Sequence, residues 1–145
     1  MPTIKASILW DNHPYPNNPC SAEHFPNQCA IHMGVALEKS GVDTKPFDKL
    51  FPNRRCYKYL HHSPKHILSA QDLADWLVTQ TQIFGEVVKH KKTTAASFQG
   101  KKGILFIMNG WGSTDHIDVW NGSNLKGGDP SYISLGEEVW FWKLD

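Results

Sequence analysis

The apolar positions in the first half of the chain predict two helices. The first lies between Asn27, whose side chain can accept a hydrogen bond from the first turn, and Gly41, which can end the helix in a left-handed conformation. The second begins near Ser69, which together with Asp72 resembles a capping box. Its buried stripe consists of Leu73, Trp76, Leu77, Ile83 and Phe84.

The second half of the chain changes to strand patterns at Gly103. The continuous apolar run 104–108 predicts a central strand buried on both faces, and the turn signal 109–112 follows it. Residues 116–120 alternate with a period of two, and residues 139–142 form a last strand. This order predicts an α+β fold, with N-terminal helices packed on a C-terminal antiparallel sheet.

The connecting segments have irregular patterns. Residues 3–10 indicate a short strand or the entry to a helix. The proline-rich segments 11–28 and 43–66 predict loops, because proline interrupts helices. The basic run 89–92 predicts an exposed turn, and the glycine-rich segment 123–136 predicts another loop.

Composition narrows the class of protein. With 145 residues and a hydrophobic share of 40%, the chain can bury a core, and we expect one globular domain over residues 1–145. The net charge of +1 gives no electrostatic basis for a nucleic-acid or anionic-membrane partner. No apolar run approaches the roughly 20 residues of a membrane span, and the first residues lack a signal-peptide pattern. We therefore expect a soluble protein, monomeric alone, without membrane insertion.

Cys29 is the first candidate for chemistry. It lies in the first turn of the predicted helix, where unpaired N–H groups and the helix dipole favour a thiolate nucleophile. Its backbone N–H is the natural donor to an oxyanion. A lone helical cysteine is more often part of a buried core than a catalyst, so a catalytic role needs a base elsewhere in the chain.

His116 is the strongest candidate for that base. A cysteine at a helix start followed later by a histidine on a strand matches the papain-like order, in which a third polar group orients the imidazole. Asp129 could fold back onto the ring from the following loop, and Asn121 in the turn is an alternative. Asp118 shares the face of His116, but the usual rise per residue separates the two by about 7 Å along the strand.

The sequence also offers candidates for a substrate groove and leaves two alternative functions. Gln28, Trp111 and Tyr15 are candidates to line a substrate groove, although edge packing would explain the aromatic pair equally well. A zinc-binding structural protein is one alternative function, since zinc binds such residue types, and a non-catalytic cell-wall-binding module using exposed tryptophans is another. The candidate zinc ligands are Cys20, His24, Cys29 and His32.

Four segments together carry a resemblance to a known family. They are NQCAI followed by MGVAL (27–37), HILSAQDLADWL (66–77), HIDVWNG (116–122) and VWFW (139–142). In order and spacing they resemble the type VI secretion amidase effectors of family 4, over most of the chain. The resemblance implies an NlpC-type, papain-like fold and a cysteine amidase that needs no metal or other cofactor.

The resemblance also implies a substrate, a partner and a site. Such effectors are injected into the periplasm of a neighbouring bacterium and cut the peptidoglycan stem between D-glutamate and meso-diaminopimelate, while a cognate immunity protein protects the producer. The family's nucleophile, base and third residue map onto Cys29, His116 and Asp129. His32 stands where an arginine is expected, and no cysteine follows Cys56 to form the later pair of some members. A disulfide between Cys20 and Cys56 is a further hypothesis.

Overall fold

The computed structural model describes residues 3–17, 27–56 and 66–145, and its core is a four-stranded antiparallel sheet. The strands lie in the order β1-β4-β2-β3. Their bounds are β1 Val88–His90, β2 Lys102–Trp111, β3 Thr114–Trp120 and β4 Glu138–Leu144. The predicted α+β class is confirmed.

Within the described residues, five α-helices precede the sheet, and two 3-10 helices lie in its connections. The helices are α1 Ala6–Asn12, α2 Cys29–Lys39, α3 Phe47–Leu50, α4 Ala70–Val78 and α5 Thr81–Phe84. The 3-10 helices are Ala95–Phe98 and Pro130–Leu135. None of the helices in the described ranges is long and apolar enough to cross a membrane.

β2 is the central strand that the sequence predicts, since it pairs with β4 on one side and β3 on the other. Its side chains alternate between two hydrophobic clusters: Phe106 belongs to the cluster shared with the helices, and Leu105 belongs to the cluster shared with the 3-10 helices. The close approach of β4 requires Gly103, because a Cβ there would collide with the backbone carbonyl of Trp142. Both faces of the sheet are therefore covered.

The Ser69 cap is also confirmed. α4 begins after Ser69, whose hydroxyl accepts a hydrogen bond from the backbone N–H of Asp72 at 3.1 Å. Leu73, Trp76 and Leu77 are buried, while Phe84 is buried in the separate helix α5. The predicted stripe thus spans two helices.

Several predicted connections differ from the structure. The segment predicted as strand or helix entry forms α1, which extends to Asn12. Lys89 and His90 belong to the edge strand β1, because they pair with β4, and are not part of a turn. The predicted turn at 109–112 begins later, since β2 continues to Trp111 through an irregularity in its pairing with β3.

Short helices also occur where loops are predicted. Segment 43–66 contains α3, and segment 123–136 contains the second 3-10 helix. Residues 18–26 of the predicted loop 11–28 and residues 57–65 of the predicted loop 43–66 lie outside the described residues. The features that matter for the site are the end of α1 and the start of α2, since both helices pack against the edge strand β3.

Candidate active site

Cys29 is the first residue of α2 and is buried. Its thiol lies 3.7 Å from the backbone carbonyl of Asp115, at the start of β3. Gln28, not Asn27, occupies the cap position, and the side-chain oxygen of Asn27 accepts the Cys29 backbone N–H at 3.4 Å. The expected oxyanion donor is therefore directed at Asn27, through a hydrogen bond longer than is usual.

His116 faces both the thiol and a carboxylate. Its ring and the Cys29 thiol line the same groove, and its Nε2 lies 2.9 Å from Oδ2 of Asp118. Because Nε2 is engaged by Asp118, Nδ1 is the nitrogen left for the thiol. Burial alone would lower the pKa of His116, but hydrogen bonds to Asp118 and Cys29 outweigh it and raise the pKa to about 10. This geometry favours an imidazolium beside the thiol.

Asp118 lies closer to His116 than the rise along the strand predicts, so the expected separation of the two side chains is wrong. Residues two apart on a strand have Cα atoms about 7 Å apart, but long side chains on one face can lean toward each other along the strand. The imidazole of His116 and the carboxylate of Asp118 close that gap to hydrogen-bond distance. The reach of two side chains, not the Cα spacing, decides this contact.

The carboxylate of Asp118 is fully buried, accepts hydrogen bonds from three donors and contacts a fourth group, the ring of His13. Oδ2 accepts from His116 and from the backbone N–H of Gly127 at 2.8 Å. Oδ1 accepts from the Val119 N–H at 2.8 Å and lies 3.3 Å from Nε2 of His13. Burial would raise the pKa of Asp118, but hydrogen bonds from His116 and His13 outweigh it and lower the pKa to about 2. The group is held as an anion.

Asp129 has a different role in the structure. It precedes the second 3-10 helix, and its exposed carboxylate accepts the backbone N–H of Ser131 at 2.9 Å, which lowers the pKa of Asp129. Asp118, rather than Asp129, is thus the acid that contacts His116 within the described residues. Asp129 does not contact His116 as expected, because its carboxylate caps the 3-10 helix Pro130–Leu135.

Asn121 is likewise directed away from the ring. Its side-chain oxygen accepts the backbone N–H groups of Ser123 and Asn124, at 3.0 and 2.8 Å, within the turn after β3. Asp115 points its carboxylate to the Asn109 N–H at 2.8 Å while its carbonyl faces the thiol. Both residues shape the backbone around the site.

A groove with a volume of about 510 Å³ opens onto the thiol and the imidazole. The three groove candidates from the sequence, Gln28, Trp111 and Tyr15, all line it. Trp111 and Tyr15 are 41% and 48% exposed, so their rings are available to a ligand. The Tyr132 ring meets those of Trp111 and His116 edge-on, with centroids 5.0 and 5.4 Å away. These aromatic rings shield one side of His116 from water.

The candidate zinc ligands are only partly described. Cys20 and His24 lie outside the described residues, among which no group of side chains suited to a metal is present. His32 points Nε2 at the Asn17 carbonyl, 2.8 Å away, and burial followed by the proximity of His13 lowers the pKa of His32. Its ring therefore has a local hydrogen-bonding role.

The proposed disulfide is likewise only half described, because Cys20 lies outside the described residues. Cys56 is buried near Ile31 and Leu68, and its sulfur accepts the backbone N–H of His66 at 3.2 Å. The pairing of Cys20 with Cys56 remains a prediction.

Sequence reasoning missed His13 and Tyr132. Both reach the site from segments that the pattern marks as connections, and no spacing links either of them to His116. The one signal for His13 is its residue type, since it is a histidine in the predicted loop that precedes the nucleophile in sequence.

Comparisons with known proteins identify the family and the fold. A family model described as type VI secretion system (T6SS), amidase effector protein 4, matches residues 25–142. Comparison with curated proteins gave no match.

Solved structures of Tae4 effectors share the fold. The chain is similar to Tae4 in the Tae4–Tai4 effector–immunity complex from Enterobacter cloacae, with 21% identity, a TM-score of 0.73 and coverage of 98% of this chain and 99% of that one. Tae4 from the same organism, without its partner, is 19% identical with a TM-score of 0.73, and the match covers 100% of both chains. Tae4 from Salmonella typhimurium, in complex with the immunity protein Tai4 from Enterobacter cloacae, is 19% identical to this chain with a TM-score of 0.66. The match covers 98% of this chain and 99% of that one. Because the family model spans most of the sequence, the chain belongs to the type VI secretion system amidase effectors of family 4.

Proposed function

We propose that this amidase effector is a cysteine peptidase that cuts the peptidoglycan stem at the amide between D-glutamate and meso-diaminopimelate. The observation that carries the proposal is the line Cys29–His116–Asp118 at the floor of an open groove. A thiol, an imidazole and an orienting carboxylate in this order are the groups that amide hydrolysis through a thioacyl intermediate requires. Asp118 takes the orienting role that the sequence resemblance gives to Asp129.

The cycle begins from the ion pair, in which the proton of Cys29 is already on Nδ1 of His116. The thiolate attacks the amide carbonyl, and His116 returns the proton to the leaving amine as the carbon–nitrogen bond breaks. Water then attacks the thioacyl group, with His116 as general base, and releases the D-glutamyl carboxylate and the free thiol. Asp118 remains an anion throughout and stabilises the imidazolium.

The oxyanion needs a donor close to Cys29. The backbone N–H of Cys29 is suitable, because its hydrogen bond to Asn27 is long at 3.4 Å and a developing negative charge is a stronger acceptor than a neutral amide oxygen. The groove lining supplies the remaining contacts with the stem, and Trp111 and Tyr15 offer exposed rings for it.

The test is digestion of purified sacculi, followed by mass identification of the fragments. Wild-type protein should leave glycan-bound stems that end at D-glutamate and release peptides with a new amino group on diaminopimelate. Cys29→Ala should lose at least about 1,000-fold in release rate, because the nucleophile is gone. Cys56→Ala, which removes a buried thiol away from the groove, is the matched control and should cut at nearly the wild-type rate once its fold is verified.

The results separate the proposed enzyme from other functions. Equal release by Cys29→Ala and wild type would refute the cysteine mechanism. Cleavage at another stem bond would refute the assigned substrate but keep the mechanism. Binding to sacculi without release by either protein would favour a wall-binding module.

We also propose delivery by a type VI secretion system to the periplasm of a target bacterium, and inhibition by a cognate immunity protein that covers the groove. The support is the family membership, together with the similar structures described as effector–immunity complexes. Directing the protein to the periplasm should kill cells, whereas cytoplasmic expression should not. Equal toxicity in the two compartments would contradict a wall substrate.

A further inference from the structure

Asp118 contacts a second histidine, which the proposed mechanism does not use. His13 follows the last residue of α1 and is buried, with Nε2 3.3 Å from Oδ1 of Asp118. The two histidines therefore lie at different oxygens of one carboxylate, His13 at Oδ1 and His116 at Oδ2.

The tautomer of His13 follows from the hydrogen bond that its other ring nitrogen accepts. Nδ1 of His13 accepts the backbone N–H of Tyr15 at 3.3 Å, so Nδ1 carries no proton. The ring proton is then on Nε2, where it points at Asp118. Because the ring centroid of His32 lies 5.2 Å away, His13 is also held by packing. It is a fixed donor to the carboxylate.

The other donors to Asp118 leave a place that His13 fills. The Val119 N–H belongs to the next residue of the chain and the Gly127 N–H to the loop that follows β3. His13 is the donor that comes from the helical side of the molecule, across from β3. A carboxylate buried as an anion needs every such donor, since each unpaired oxygen lone pair adds desolvation cost.

We propose that His13 is a positioning residue: it holds the Asp118 carboxylate with Oδ2 toward His116 and thereby maintains the thiolate–imidazolium pair at Cys29. This role deepens the proposed cysteine mechanism and rests on it. His13 itself touches neither the thiol nor the scissile amide. Without its hydrogen bond, the carboxylate becomes less stable as an anion and freer to rotate, so it supports less positive charge on His116.

The test measures the nucleophile directly and needs no peptidoglycan. Cys29 is alkylated with iodoacetamide at pH 6, where ordinary thiols react slowly, and its labelling is followed by peptide mass analysis. The variant His13→Leu removes the donor at similar volume. His13→Gln keeps a donor, because its Nε2 reaches the place of the histidine Nε2. His90→Leu, on the edge strand β1 and outside the groove, is the control histidine.

The expected pattern is specific to a positioning role. His13→Leu should alkylate about 10- to 100-fold more slowly than wild type, which is the range for a lost hydrogen bond to a charged group. His13→Gln should recover most of that loss, and His90→Leu should react at about the wild-type rate. Folded His13→Leu that reacts as fast as wild type would overturn the proposal, and so would His13→Gln that reacts as slowly as His13→Leu.

A second measurement keeps the proposal testable if His13→Leu does not fold. In wild-type protein labelled with ¹⁵N-histidine, the nitrogen shifts of His13 should show a protonated Nε2 and an unprotonated Nδ1 at pH 7. A proton on Nδ1 alone would overturn the proposal. Failure of the proposed function is distinguishable, because it would appear as intact sacculi alongside the predicted alkylation pattern.

Discussion

At the scale of single residues, two nearby aspartates differ in their surroundings and should therefore differ in function. Asp118 is buried, with donors on both oxygens, whereas Asp129 is exposed and caps a 3-10 helix. Asp118→Asn keeps the shape but removes the charge that stabilises the imidazolium and turns an amide N–H₂ toward one of the existing donors. We expect it to lower kcat for stem release by about 100-fold or more.

Asp129→Asn is the matched control, because asparagine also caps helices well and the charge at this exposed position has no contact with His116 in the described structure. It should release stems within about twofold of wild type, since surface substitutions that keep their local hydrogen bond have small effects. Loss of activity in Asp129→Asn with normal activity in Asp118→Asn would reverse the assignment of the third residue.

At the scale of secondary-structure elements, α4 depends on a side-chain cap at its start. The hydroxyl of Ser69 accepts the Asp72 N–H, which otherwise has no partner within the first turn. Ser69→Ala should lower the free energy of unfolding by about 1 kcal/mol in urea titrations, while Ser69→Asn should keep most of the stability because asparagine caps equally well. Equal loss in the two variants would show that the cap is not what Ser69 contributes.

Elements with a strong internal pattern were predictable from sequence. The apolar run in β2 and the cap of α4 have local causes that one window of sequence contains. The edge strand β1 was not predictable, because Lys89 and His90 are in a strand only through pairing with β4, far along the chain. Its short, basic sequence has the pattern of a turn.

The residues of the site also differ in whether the sequence could predict them. Cys29 and His116 have recognisable settings, a helix start and an alternating strand, and the structure brings them together. The choice among acids depends on side-chain reach and on whether a loop forms a 3-10 helix, which periodicity does not encode. His13 could not be found at all, because its role arises only when the end of α1 packs beside β3.

At the scale of the whole molecule, the site depends on tertiary assembly. The ionisable groups come from the end of α1, the start of α2 and the edge strand β3, so the unfolded chain does not hold them together. Any pKa that differs between the folded and unfolded states makes stability depend on pH. His116 and Asp118 shift in opposite directions and therefore set two different limits.

The sign of each contribution follows from its shift. The pKa of His116 is raised from 6.5 to about 10, so its stabilising effect is complete below pH 6.5 and is lost as the pH rises toward 10. The pKa of Asp118 is lowered from 3.8 to about 2, so its effect is complete above pH 3.8 and is lost as the pH falls toward 2. Together the two groups favour greatest stability between these limits, at mildly acidic pH.

We therefore expect the free energy of unfolding to fall by about 1 kcal/mol between about pH 8.5 and 10. In that interval the unfolded state has lost the imidazole proton and, above the ordinary thiol pKa of about 8.5, the thiol proton, whereas the folded state still holds one proton on His116. Urea titrations at several pH values give this slope. His116→Gln cannot take up that proton, so its slope over the same interval should be much flatter. Parallel curves for wild type and His116→Gln would mean that His116 holds no extra proton in the folded protein over this interval.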